Sequence, residues 1–101
     1  MAEPHAPIPA TFEDFEREAL AKGYEQALVR TWAPQQIVQE HRHDFHASAL
    51  VVAGEMWLTQ SGTTRHLVPG DTFELDRLEP HEERYGPDGA TYWVARRSSA
   101  A

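Results

Sequence analysis

Short runs of β-prone residues, separated by turn-forming residues, follow one another along most of this chain. The runs begin after Gly23 and are rich in Val, Leu, Thr, Trp and Tyr. The breaks carry the residues that tight turns require, as in Pro69-Gly70-Asp71 and Gly86-Pro87-Asp88-Gly89. We predict strands over residues 26–32, 36–42, 47–53, 55–60, 64–68, 72–75, 81–85 and 91–96. This pattern predicts an all-β fold, a jelly-roll sandwich or barrel, and not alternating β and α units.

A single helix is predicted before the strands. Phe12, Phe15 and Leu20 recur at helical spacing. Thr11 can cap the start, and Gly23 can end the helix in a left-handed conformation. We expect a short amphipathic helix that packs on the outside of the barrel or at its mouth. The predicted division of the chain is a flexible tail over 1–10, the helix over 11–23, the barrel over 24–97 and a second tail over 98–101.

The composition restricts the partners and the chemistry. A chain of 101 residues is the size of one domain, and its net charge of −7 argues against a nucleic-acid partner, because such proteins usually present a basic face. Cysteine is absent, so any metal must bind through nitrogen and oxygen atoms. The first residues do not have the pattern of a signal peptide, and no segment approaches the roughly 20 apolar residues of a membrane span. We therefore expect a cytoplasmic protein with no membrane partner.

The spacing of the histidines indicates a metal site. His41 and His43 are two residues apart, so in a strand they project to the same face, close enough for both to bind one ion. His81 follows Pro80 at the start of another predicted strand and can supply a third ligand. Neutral imidazole binds Fe, Mn, Ni, Zn and Cu, so the expected cofactor is one divalent transition-metal ion of this group. The alternative is that these are surface histidines on polar strands.

These residues resemble the two sequence motifs of the cupin superfamily, and the resemblance covers roughly residues 24–97. In the first motif His41, His43 and Gly54 match, whereas Ala47 stands at the usual glutamate and Gln35 at the usual first glycine. The resemblance implies a cupin-type double-stranded β-helix, which is a jelly-roll barrel, with a metal at the three histidines.

The second motif matches in part. Gly70 and His81 stand at the separation that the family has. The usual proline, glycine and asparagine of this motif are replaced by Asp76, Leu78 and Tyr85. The two motifs together, at the family's spacing, support the fold and the metal, and they say little about the substrate.

The missing glutamate leaves the chemistry of the ion open. With Ala47 in its place, the site resembles the three-histidine cupins, which include thiol and diketone dioxygenases that use ferrous iron. Three neutral ligands would leave the ion its full charge and open positions for a substrate and dioxygen. The alternative is a weakened site that binds a ligand and does no chemistry.

His46 is predicted as a fourth ligand. In a regular strand it would point away from His41 and His43, but a β-bulge at Asp44-Phe45 would turn it inward. We favour the inward, four-histidine site, because a fourth imidazole would replace the lost carboxylate and His46 otherwise lacks a role.

Two further residues are candidates for catalysis. Glu83 and Tyr85 lie two and four positions after His81, so strand alternation places them on its face. Glu83 can orient a histidine or act as a base, and Tyr85 can donate a hydrogen bond to a metal-bound ligand. The alternatives are a solvated glutamate at the mouth and a tyrosine that fills the barrel. Five aromatic residues are candidates for a ligand pocket, although core packing is favoured for most of them: Trp32, Phe45, Trp57, Phe73 and Trp93.

Two classes of function agree with these residues. One is a metal-dependent enzyme of dioxygenase, isomerase or lyase type that acts on a small organic acid, thiol or diketone. The other is a non-catalytic ligand-binding or sensing module; a structural oligomer with a vestigial site is a third possibility. We expect a small-molecule ligand in the first two cases. We also expect a homodimer, because cupin-like domains commonly pair through a sheet face or a swapped strand, and because the helix offers an apolar face with Phe12, Phe15 and Leu20.

Overall fold

Two long strands form the centre of the fold. The computed structural model describes residues 9–98, and in these residues one α-helix precedes six antiparallel strands. The elements are α1 (Phe12–Ala21), β1 (Gln26–Trp32), β2 (Ile37–His41), β3 (His46–Gln60), β4 (Thr63–Leu67), β5 (Thr72–Leu75) and β6 (His81–Arg97). Apart from Pro9, Ala10 and Ser98, the two predicted tails lie outside the described residues.

A pair of facing irregularities divides β3 and β6 into halves. In β6, residues 86–89 lie opposite the single residue Glu55 of β3. Gly54 has a φ of 72°, and a β-carbon at this position would collide with the carbonyl oxygen of Gly89. The turn predicted at 86–89 is therefore a bulge within a strand, because the backbone pairs with β3 on both sides of it.

The two halves of each long strand belong to different sheets. The first half of β3 pairs with β5 and the second half with β4. The first half of β6 pairs with β2 and the second half with β1. One sheet thus has the order β1-β6-β3-β5 and the other the order β2-β6-β3-β4. The eight predicted strands correspond to these eight strand segments, and the prediction of an all-β jelly-roll barrel is confirmed.

The core lies between the two sheets, where side chains alternate inward from both of them. Its buried members are Ala47, Ala49, Val51, Met56, Leu58, Leu67, Phe73, Leu75, Tyr85, Ala90, Tyr92 and Val94. In the first half of β3 the inward positions are 47, 49 and 51, so His46 belongs to the opposite face of the strand. This parity decides which residues of β3 can reach the interior.

The helix packs on the outside of the first sheet. Thr11 Oγ1 accepts a hydrogen bond of 3.1 Å from the backbone N–H three residues later, which caps the helix as predicted. Gly23, with a φ of 96°, follows the helix in the left-handed conformation. The rings of Phe12 and Phe15 lie 6.0 and 5.9 Å from the ring of Trp93 in β6. Within residues 9–98 we find no helix long and apolar enough to cross a membrane.

Candidate metal centre

Three histidines, two of them only two residues apart in the chain, meet at a cavity inside the barrel. His41 ends β2 and pairs in register with His81, the first residue of β6. His43 lies in the link 42–45 between β2 and β3. One ring nitrogen of each histidine lies within 4.8 Å of those of the other two. The spacing of His41 and His43 therefore brings them together as predicted, and His81 joins them from the other half of the sequence.

The link that carries His43 is fixed by the turn before β6. The backbone oxygen of His43 accepts a hydrogen bond of 2.7 Å from the N–H of Leu78. In the same two segments, Arg77 and Asp44 form an ion pair of 2.5 Å. The ring of His43 stacks on that of Phe45, with a centroid distance of 4.8 Å. These contacts hold the His43 ring beside the ends of β2 and β6.

Backbone carbonyls set the tautomers of the other two histidines. Nδ1 of His41 lies 2.9 Å from the carbonyl oxygen of Gln39, and Nδ1 of His81 lies 3.0 Å from that of Glu79. A carbonyl oxygen only accepts, so in both rings Nδ1 carries the proton and donates it. The lone pair of each neutral ring is then on Nε2, the nitrogen that is free to bind a metal.

One of the nitrogens that face one another is a buried acceptor without a donor. Nε2 of His81 is buried and has no hydrogen-bond partner, and Nε2 of His41 lies 3.1 Å from Nε2 of His43. A buried acceptor without a partner costs about 1–3 kcal/mol. Burial, followed by the neighbouring His41 and His81, lowers the pKa of His43 to about 4, so this ring is neutral near pH 7. Three imidazoles whose ring nitrogens converge at this separation fit a divalent transition-metal ion.

A buried carboxylate faces the histidines. Glu83 is 5% exposed, and its Oε2 lies 3.8 Å from Nε2 of His41 and 3.9 Å from Nε2 of His81. Its Oε1 accepts a hydrogen bond of 2.5 Å from the hydroxyl of Tyr85 and a longer one of 3.5 Å from the hydroxyl of Tyr92. One oxygen of Glu83 is therefore held by tyrosine hydroxyls, and the other is directed to the histidines.

Tyr85 lies behind Glu83 and does not line the cavity. Its side chain is fully buried, and its ring stacks on that of Trp32 at 5.3 Å. Burial raises the pKa of Tyr85 far above its usual value, so the hydroxyl stays protonated and donates to Glu83. Burial likewise raises the pKa of Tyr92 to about 12. The hydrogen bond expected from Tyr85 to a metal-bound ligand is replaced by this bond to Glu83.

The structure does not bring His46 to the other three histidines. Its Nδ1 lies 3.4 Å from a carboxylate oxygen of Asp76, on the outer side of β3. The inward rotation expected from a bulge at Asp44-Phe45 does not occur, because β3 begins at His46 and alternates regularly, with Ala47 inward. The four-histidine arrangement is therefore absent from the described residues, and His46 faces Asp76 instead.

The cavity beside the histidines has a volume of about 140 Å³. Of the five aromatic candidates, Trp32, Phe45 and Phe73 lie on its wall. The other two lie on the outer faces of the barrel: Trp93 packs under the helix, and Trp57 stacks on His66 with a centroid distance of 4.6 Å. A larger groove of about 820 Å³, between the helix and residues 69–72, contains no histidine.

Three polar wall residues were not predicted from the sequence: Arg30, Tyr92 and Arg96. A signal for two of them was present, since Tyr92, Val94 and Arg96 share one face of a predicted strand. Charged residues at such positions are usually assigned to the solvent face, which is why Arg96 was passed over.

A protein-family model covers the whole barrel. The model of the AraC-like ligand-binding domain matches residues 24–101. The chain belongs to this family. The AraC-like ligand-binding domain is a cupin-type domain, so the resemblance to the cupin superfamily is confirmed. A search of curated proteins finds no matching sequence.

Solved structures share the fold of this AraC-like domain at low sequence identity. An RmlC-like cupin from Shewanella frigidimarina NCIMB 400 has a TM-score of 0.66 at 20% identity, over 74% of this chain and 67% of its own. The DMSP lyase DddQ from Ruegeria pomeroyi DSS-3 has a TM-score of 0.68 at 24% identity, over 74% of this chain and 39% of its own. A predicted oxalate decarboxylase from Thermotoga maritima has a TM-score of 0.63 at 17% identity, over 79% of this chain and 71% of its own. The chain thus spans well under half of the lyase, and these similarities establish the fold alone.

Proposed function

We propose that this domain binds one divalent transition-metal ion through Nε2 of His41, His43 and His81. The observation that carries the proposal is the convergence of three ring nitrogens, one of them buried and without a partner. The backbone bonds to Nδ1 of His41 and His81 hold their lone pairs on Nε2 before any ion arrives. The donor set suits Fe, Mn, Ni, Zn or Cu, all of which bind imidazole.

A small molecule is proposed to bind in the cavity beside the ion. When bound, such an ion acts as a Lewis acid that polarises an oxygen of the ligand. Trp32, Phe45 and Phe73 supply apolar contacts and exclude water from the ligand. Among the described wall residues Glu83 is the only carboxylate, and its free Oε2 makes it the candidate general base. Tyr85 acts as a positioning residue, since its hydroxyl fixes the other oxygen of Glu83.

We infer from this pairing of a metal site with a buried base that the domain is a metal-dependent enzyme of lyase, isomerase or dioxygenase type. Fold neighbours described as a DMSP lyase and a predicted oxalate decarboxylase agree with this proposal, since they share the fold. The second candidate is a non-catalytic ligand-binding or sensing module, which the family assignment supports. Turnover that requires the metal and is lost in Glu83→Gln favours the enzyme, whereas saturable binding of a small molecule without turnover favours the module.

The metal site is tested by competition with a chromogenic chelator, on purified protein loaded with Zn²⁺, Mn²⁺ or Fe²⁺ in turn. We expect His41→Ala, His43→Ala and His81→Ala each to weaken binding by at least ten-fold, about 1.4 kcal/mol. His46→Ala is the matched control, because His46 is a half-buried histidine outside the group. Unchanged affinity in all three ligand variants would refute the proposal.

A homodimer is also proposed, although not through the helix. Phe12 and Phe15 pack on Trp93 within the chain, so they are not free to bind a second copy. The outer face of the β2-β6-β3-β4 sheet is the better surface, because Ile37 is 66% exposed there and lies in one row across the strands with Arg84 and the Trp57–His66 stack. Light scattering that gives the monomer mass at high micromolar concentration would contradict this assembly.

A further inference from the structure

Two guanidinium groups lie on the wall of the cavity. Arg30 comes from β1 and Arg96 from the second half of β6. The Arg30 guanidinium lies 5.0 Å from the ring of Trp32, and that of Arg96 lies 4.8 Å from the ring of Phe45. Both aromatic rings also line the cavity. Stacking of this kind holds a guanidinium in one orientation and leaves its N–H groups free to donate at the edge.

Neither arginine meets a carboxylate in the described part of the chain. Among its arginines, those in ion pairs are Arg17, with Asp14, and Arg77, with Asp44. Arg96 donates from Nη2 to the side-chain oxygen of Gln26 at 2.7 Å, which is a neutral acceptor. The whole sequence has 16 acidic residues against nine Lys and Arg. The chain therefore has enough carboxylates to pair with every arginine, and a shortage of them does not explain why Arg30 and Arg96 have no carboxylate partner.

The charge of the cavity is then one-sided. Its only carboxylate among the described wall residues is Glu83, which is already held by two tyrosine hydroxyls. The positive charges of two guanidiniums, and of the divalent ion proposed above, therefore exceed that single negative charge. Attraction of an anion to the half-buried Arg96 is stronger than in water, because an apolar wall screens charges poorly, whereas solvent partly screens the exposed Arg30.

The wall also limits the shape of the anion. Phe73, Leu75 and Val94 line the cavity together with the arginines, and its volume of about 140 Å³ leaves room for a compact molecule only. On the paired strands Arg30 lies opposite Tyr92, four residues before Arg96, which is about 13 Å along the strand. The two arginines thus lie at separate points of the wall, and Val94 lies between their positions along β6.

We propose that the ligand of this cavity is a small organic carboxylate with a compact apolar body. The inference rests on the proposed small-molecule site and names the class of ligand it takes. The carboxylate is held by the stacked guanidinium of Arg96, and Arg30 adds to the positive potential from the other side. The apolar body packs on Phe45 and Phe73. A neutral molecule of the same shape gains the apolar contacts and loses the charged ones.

The test compares benzoate with benzamide, which has the same shape and no charge. Calorimetric titration of the metal-loaded protein is expected to show benzoate binding at least ten-fold more tightly than benzamide. Arg96→Gln should reduce that preference by about five-fold or more, because charge-assisted hydrogen bonds are roughly twice as strong as neutral ones. Arg30→Gln should reduce it by a smaller factor, since Arg30 is exposed and contributes potential only. Arg97→Gln is the matched control, since Arg97 also lies over an aromatic ring, that of Tyr24, but outside the cavity.

The outcomes separate this inference from the metal proposal. Equal binding of benzoate and benzamide, no binding of benzoate at 10 mM, or a preference that survives Arg30→Gln/Arg96→Gln would each overturn the carboxylate assignment. The metal content of every variant is measured alongside, and full occupancy in the arginine variants shows that the histidines are intact. If the wild-type chain takes up no metal, the metal proposal fails, and the benzoate preference of the metal-free chain still decides the class of ligand.

Discussion

Replacing Tyr85 by phenylalanine should destabilise the protein through Glu83. The change removes one oxygen atom and leaves the ring, which stacks on Trp32, in place. It removes the 2.5 Å hydrogen bond to Oε1 of Glu83, a carboxylate that is 5% exposed. Hydrogen bonds to charged groups contribute about 1.5–3 kcal/mol. Water does not replace the hydroxyl readily, because Tyr85 is fully buried.

The measurement is urea unfolding of metal-free protein, so that loss of an ion does not contribute. We expect Tyr85→Phe to lower the free energy of unfolding by about 1.5–3 kcal/mol without changing its slope against urea concentration, the m-value. For a domain of this size that corresponds to roughly 6 to 24 °C in Tm. Tyr92→Phe is the control: its hydroxyl lies 3.5 Å from the same oxygen, at the limit of a hydrogen bond, so the loss should stay below about 1 kcal/mol.

A double-mutant cycle separates the bond from other effects of the substitution. In the Glu83→Gln background the charge is absent, so Tyr85→Phe should cost less than in the wild type by about 1 kcal/mol or more. A cost below about 0.5 kcal/mol for Tyr85→Phe, an equal cost for Tyr92→Phe, or full additivity in the cycle would refute the reasoning.

Three further predictions concern the backbone and the histidines. Gly54→Ala should destabilise the fold by more than about 3 kcal/mol in thermal unfolding, because a β-carbon there meets backbone atoms at a φ of 72°. Gly23→Ala is the control and should cost about 1 kcal/mol, because its φ is 96° but the space around it is open. Equal costs of the two substitutions would contradict this prediction. Since the folded pKa of His43 is lowered from 6.5 to about 4, the unfolded chain binds more protons between these values, so the stability of metal-free protein should fall as pH drops from about 6.5 to about 4. His43→Gln should flatten this dependence in urea titrations at several pH values, and an unchanged slope would count against it. Metal occupancy should fall below roughly pH 6 as protons compete for imidazole, and full occupancy at pH 4 would exclude a histidine site.

The fold could be predicted from the sequence because the turn residues lie where the chain passes between strands or between sheets. Turn residues at Gly54 and 86–89 mark the points where β3 and β6 pass from one sheet to the other. They break the pattern of alternation, so the two long strands were predicted as four short ones. A glycine-rich break is a bulge, and not a turn, only if the backbone on both sides of it pairs with the same strand. The local sequence does not show this pairing.

Site residues could be predicted where side chains alternate regularly along a strand. His41, Glu83 and Tyr85 face the interior as alternation requires, and the register of β2 with β6 brings His41 to His81. His46 was misplaced because a bulge was expected at Asp44-Phe45, whereas regular parity counted from His43 places His46 outward and Ala47 inward, as the structure has them. Arg96 was missed because its place on the wall depends on packing over Phe45. The metal, the homodimer and the cytoplasmic location stay predictions.

The most direct test of the metal site is a crystal structure of the metal-loaded protein, with data collected at the absorption edge of the bound element. We predict one anomalous peak per chain, about 2.0–2.2 Å from Nε2 of His41, His43 and His81. Two other histidine–carboxylate pairs lie within the described residues, His46 with Asp76 and His66 with Glu55. A peak at either of these pairs, or no peak between the three histidines, would contradict the account.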